Sequence, residues 1–159
     1  GTGRCATPEG EEIADHFELR SALETFTVRN LAGRVTPAQA AKLEANMLAQ
    51  EECVRLCDVA QSCRLDGEFH LLLSEFVENT ELLRVMWLLR DKIFRVIKRV
   101  HAKHPERLAT NFPEHRSIVE AIFAGDGELA ARRMSNHLER GKQFLLSPRR
   151  SPVEPPPAP

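Results

Sequence analysis

An all-α fold is predicted for this chain, an antiparallel six-helix bundle with a disordered proline-rich C-terminal tail, and three observations predict it. Apolar residues recur at helical spacing along most of the 159 residues. Six segments are each opened by a capping residue or stopped by glycine or proline. No stretch alternates with the period of two that marks a half-buried strand, and no repeat of about 20 to 50 residues occurs. A hydrophobic content of 42% suffices for one domain with its own core. The expected division is an N-terminal extension over 1–10, a helical domain over 11–147 and the tail over 148–159.

The first helix is expected over about 11–32, with Thr7-Pro8 ahead of it, Glu9, Glu11 and Glu12 at its positive end and Gly33 as its stop. Thr36 caps a second helix that has Pro37 in its first position and runs to about Cys57. Asp58 caps a third, from Val59 to about Val77. Asn79 or Thr80 opens a long fourth, whose Leu82, Met86, Leu89, Ile93, Val96, Ile97 and Val100 keep helical spacing until His104-Pro105 breaks it. Asn111-Phe-Pro-Glu114 has the form of a capping box, so the fifth helix is placed from there to Ala124. Gly125-Asp126 stops it and caps a sixth, from Gly127 to about Leu146. From Ser147 onward the chain is rich in proline and has no apolar period, which defines the tail.

Lys plus Arg number 22 against 23 Asp plus Glu, a formal net charge of -1, so no global field draws nucleic acid or an anionic membrane. No apolar run approaches the roughly 20 residues that cross a bilayer. The opening Gly1-Thr-Gly-Arg-Cys5 lacks the apolar core of a signal peptide, so a cytoplasmic protein with no membrane partner is expected. Four cysteines, Cys5, Cys53, Cys57 and Cys63, are too few and too clustered for a disulfide framework. Cys53 and Cys57 share a helix face, which suits either a soft-metal pair or two core thiols.

The chemistry lies in the histidines. Asp66 and His70, four residues apart, are separated by about 40° around a helix axis and can bite one ion. His115 lies ten positions before Gly125 and His137 eleven after Asp126. In an antiparallel hairpin both imidazoles therefore stand level, about 15 Å from the turn. Three neutral imidazoles and a carboxylate suit zinc, nickel, iron, cobalt or manganese, and ligand type alone does not choose among them; a divalent ion is expected, zinc or nickel first and manganese or iron next. His16, His101 and His104 are expected at the surface. On the first helix Ile13, Phe17, Arg20, Glu24, Thr27 and Leu31 share a sector of roughly 80°, apolar at both ends and polar in the middle. Such a stripe lines a wet cavity or carries an exposed Arg20-Glu24 ion pair. Among the arginines of the fourth helix, Arg95 is the one expected to point inward.

Several of these residues fall into a pattern. Phe17-Glu-Leu-Arg20-Ser-Ala-Leu-Glu24, Asp58, Asp66-Gly-Glu-Phe-His70, Asn79, Glu114-His115-Arg-Ser-Ile-Val-Glu-Ala-Ile122, Gly125-Asp126 and Met134-Ser-Asn-His137-Leu138 resemble, in order and spacing, the FCD domain. That is the C-terminal effector-binding domain of FadR-type regulators in the GntR superfamily of bacterial transcription factors, and the likeness spans about 11–146. It implies the metal-containing branch, with Asp66, His70, His115 and His137 as ligands and a small carboxylate effector held by the ion and nearby polar groups. The expected effector contacts are Arg20, Glu24, Arg95 and Asn79. A guanidinium such as that of Arg20 is well shaped to grip a carboxylate. The resemblance also implies a homodimer that is not an enzyme and that reaches DNA only through an N-terminal winged-helix domain absent from this chain.

Two other functions fit the residues. The Asp/His3 set could serve a metal-dependent hydrolase or oxygenase, for which Glu24 is the one general base to name. A ligand-free helical dimerisation module would instead use Trp87, Leu88 and Phe94 on the fourth helix.

Overall fold

The structure, a computed structural model, describes residues 8–147. The chain forms α1 (Pro8–Leu31), α2 (Pro37–Leu56), α3 (Val59–Phe76), α4 (Thr80–Lys103), α5 (Arg107–Phe123) and α6 (Gly127–Leu146). Among the described residues there is no strand. The tail expected over 148–159 lies outside them, as do residues 1–7 of the expected extension. No described helix is long and apolar enough to cross a membrane.

Local chemistry explains the helix ends. Thr36 and Gln39 form a reciprocal capping box at α2, with Pro37 in the first turn. Asp58, Asn79 and Asp126 each accept a backbone N–H at the start of α3, α4 and α6. Gly33 and Gly125 end α1 and α5 at φ 73° and 76°, a left-handed geometry that costs an L side chain about 1 kcal/mol or more. These two turns meet: the Gly33 amide donates to the Ile122 carbonyl at 3.0 Å. α1 begins at Pro8, three residues before its expected start, because proline is tolerated in a first turn.

α5 departs from the sequence reading. It starts at Arg107, and Pro113 sits inside it. Asn111 is buried and donates its side-chain amide to Asp66 Oδ2 at 2.8 Å, so it serves the interior and caps nothing. Pro113 lacks an N–H, so α5 forgoes one internal bond at an exposed position.

α1 packs antiparallel along α6, since Arg29 pairs with Glu128 at one end and Phe17 faces Gly141 at the other. α5 and α6 form the expected hairpin. The main core joins Phe17, Met47, Phe69, Ile118, Ile122 and Met134 from five helices. A smaller core between α3 and α4 holds Leu82, Met86, Ile93 and Ile97. Gly67 lets the Phe94 ring lie against α3, where an added Cβ would fall 2.5 Å from that ring. The polar cluster is enclosed among these helices, which removes it from competing water.

Candidate metal centre

The helices bring four side chains together. Asp66 and His70 come from one face of α3, His115 from α5 and His137 from α6, and one ligand atom of each lies within 4.8 Å of the others. All four residues are buried. His137 Nε2 is 3.2 Å from His115 Nε2 and 3.3 Å from His70 Nε2. Asp66 Oδ1 is 3.2 Å from His70 Nε2, yet it has no hydrogen-bond partner.

The outer nitrogens decide what the inner ones can be. His70 Nδ1 meets Glu24 Oε2, His115 Nδ1 meets Gln50 Oε1 at 2.8 Å, and His137 Nδ1 meets Glu114 Oε2 at 2.7 Å. Every partner is an oxygen acceptor, so each Nδ1 carries the proton and donates it. Each Nε2 is left as a bare lone pair. Three lone pairs and an unpartnered carboxylate oxygen facing one another repel, and a cation among them turns that repulsion into attraction. The donor set therefore fits a divalent ion.

Two buried relays stiffen the arrangement. Arg20 Nε donates to Glu24 Oε1 at 2.7 Å, and Glu24 holds His70. Arg107 grips Glu114 bidentately at 2.7 and 2.6 Å, and Glu114 holds His137. Arg107 also stands 3.3 Å from His137 Nδ1, where the shorter bond to Glu114 prevails. Glu114 also receives Arg140 at 2.9 Å, so Glu24 and Glu114 are both paired with guanidinium groups, and Asp66 is the carboxylate of the cluster that faces imidazoles instead.

Proton affinities follow from the same contacts. Burial and the neighbouring His137 hold His115 well below the usual histidine range. Burial also lowers His137, against the opposing pull of Glu114. For His70 burial is outweighed by the Glu24 carboxylate, and its pKa rises. Burial would raise Asp66, but the imidazoles of His101 and His70 beside it hold its carboxyl well below the ordinary value. For Glu24 burial likewise yields to Arg20 and His70, and the carboxyl drops to about 2. Asp66 and Glu24 are thus held ionised and His115 and His137 neutral, the states in which they can hold or support a cation.

A cavity of about 30 Å3 adjoins the cluster, bounded by Arg20, Asp66, His70, His101, Arg107 and His137 among others. Arg20 and Glu24 are each 2% exposed, so their stripe is an interior wall and not a surface ion pair. Arg20 Nη2 is buried without a partner. Two of the sequence-predicted effector contacts stand elsewhere. Arg95 is exposed, because the inward stripe of α4 is Ile93, Val96, Ile97 and Val100. Asn79 is exposed and spends its side chain on capping α4, accepting from Leu82 N at 3.0 Å.

Other residues of the site escaped the sequence reading. His16 and His101 are buried, not superficial. His101 follows Ile97 by four positions on the apolar stripe of α4, and His16 follows Ile13 by three, so the helical period could have found both. Gln50 continues the buried spacing of Leu43, Asn46 and Met47. Arg107 precedes the expected start of α5 and gave no such pattern. Among the described residues Cys53, Cys57 and Cys63 are free, with Cys57 exposed at the end of α2.

Comparison with known proteins agrees with the architecture. The FCD domain family matches residues 15–140. The chain is 26% identical over 127 residues to the HTH-type transcriptional repressor RspR of Escherichia coli (strain K12), covering 76% of this chain and 53% of that protein. It is 28% identical over 127 residues to the putative L-lactate dehydrogenase operon regulatory protein of the same strain, covering 78% and 48%. The chain thus spans about half the length of the curated relatives it matches. A solved structure described as Streptococcus agalactiae GntR shares the fold at a TM-score of 0.71 and 23% identity, covering 89% of this chain and 63% of that one.

Proposed function

The chain belongs to the FCD domain family, and from that premise we propose that it is the ligand-sensing domain of a GntR-type transcription regulator that holds a divalent metal ion and, through it, a small carboxylate. The observation that carries this reading is the convergence of three bare imidazole nitrogens on the unpartnered Asp66 Oδ1. Asp66, His70, His115 and His137 would hold the ion, with zinc or nickel the best suited to such a set and manganese or iron next. The ion would supply a Lewis-acidic anchor for a carboxylate oxygen. Arg20 Nη2 is the free donor beside it, while Asn111 orients Asp66 and Glu24, Gln50 and Glu114 orient the imidazoles.

Sensing is favoured over turnover. Glu24, the base that hydrolysis would need, has one oxygen on Arg20 and the other on His70. The family and the relatives matched are transcription regulators, not enzymes. In the intact cytoplasmic protein, a homodimer, effector binding would shift the placement of a winged-helix domain outside this chain and so change DNA affinity.

The test is calorimetry with acetate, citrate and L-lactate, the last chosen because one relative is named for an L-lactate dehydrogenase operon. Binding is expected with zinc-loaded protein and not after chelation. Steady conversion of any acid sinks the sensor reading. Unchanged binding in a His115→Ala/His137→Ala double variant sinks the metal anchor.

A further inference from the structure

The cavity beside the cluster, at about 30 Å3, has room for one or two waters, and hence for a carboxylate head and little more. Whatever is bonded to a carboxylate held there must lie elsewhere. A second hollow of about 600 Å3 opens between α3 and α4, lined by Val59, Ala60, Cys63, Phe94 and Ala102, with Arg64 and Lys98 also on its wall. His101 bounds both spaces.

That shared wall is weakly held. His101 is 2% exposed, but its Nδ1 has no hydrogen-bond partner. Its Nε2 is 3.7 Å from Asp66 Oδ2, too far for a hydrogen bond. It stands in the last turn of α4, which ends at Lys103, where backbone bonding is thinnest. His101 is the side chain that separates the two spaces, and their linings differ in kind. The inner one is charged, and the outer one has an apolar floor with two cations, Arg64 and Lys98, beside it.

We propose that the α3–α4 hollow is a second subsite of the sensor, which takes the apolar body of a monocarboxylic acid whose head is held beside Arg20, with His101 as the movable partition between them. The inference rests on the carboxylate reading above and extends it to the ligand class: an acid with an aromatic or short aliphatic body.

The experiment compares acetate with phenylacetate on the zinc-loaded chain. Phenylacetate should bind at least about tenfold tighter, from the apolar area it buries. It should shift the amide resonances of Phe94 and Ala102, which acetate should leave in place. Ala60→Phe and Ala102→Phe fill the hollow at exposed positions clear of the core. Each should abolish the phenylacetate advantage and leave acetate affinity unchanged. Should acetate bind while phenylacetate gains nothing, or keep its gain in both variants, the subsite is overturned and the carboxylate reading stands. If neither acid binds, both fall.

Discussion

Each imidazole of the centre is aimed by one oxygen behind it, and that oxygen is where single substitutions are most telling. Glu24→Gln keeps the shape but gives its nitrogen an amide that can face His70 Nδ1, so zinc affinity should fall by about 10- to 100-fold in a chelator-competition titration. His16 tests the interior differently. Burial, with Arg20 and Lys92 nearby, lowers its pKa to about 4 from an ordinary 6.5. The unfolded chain takes up a proton on His16 at a higher pH than the folded one, so stability is full above pH 6.5 and is lost as pH falls toward 4. Thermal melts should show this loss in the native chain and a smaller one in His16→Leu. The ligand quartet was legible because Asp66 and His70 obey a four-residue period and His115 and His137 mirror each other about one turn. Arg95 was misplaced because a lone arginine carries no period of its own, and only the apolar stripe around it shows which way it faces.

Helix by helix, the caps were easy to read and the start of α5 was not. Asp58, Asn79 and Asp126 cap where their side chains meet a free N–H, a local event fixed within four residues. Asn111 has the same short amide but bonds to Asp66, 45 residues away, and no local rule foresees that. Close approach of elements also rests on particular glycines. At Gly127 an added Cβ would lie 2.9 Å from the Arg29 carbonyl, which is backbone and cannot swing aside. Gly127→Ala should therefore part α1 from α6 at that end and cost about 1–3 kcal/mol in urea denaturation. Gly141→Ala meets only the edge of the Phe17 ring at 3.3 Å and should cost less.

For the molecule as a whole, the converging imidazole nitrogens and the Asp66 carboxylate at its centre make folding and ion binding partners. Zinc at a hundred times its dissociation constant should add about 2.7 kcal/mol to the stability of the folded chain. Melting should then rise by roughly 5–10 °C for a domain of this size and fall back with a chelator. A melting point indifferent to both would contradict the centre. The bundle itself was legible from periodicity, whereas the enclosure of the cluster emerges only when distant helices meet. Every helix contributes to that enclosure: Glu24 from α1, Gln50 from α2, Asp66 and His70 from α3, His101 beside Asp66 from α4, His115 from α5 and His137 from α6. A site divided six ways has no half-built form. Loaded with cobalt(II), its visible colour would serve as an order parameter for the entire chain, unmoved by fraying at a helix end and extinguished only when the bundle comes apart.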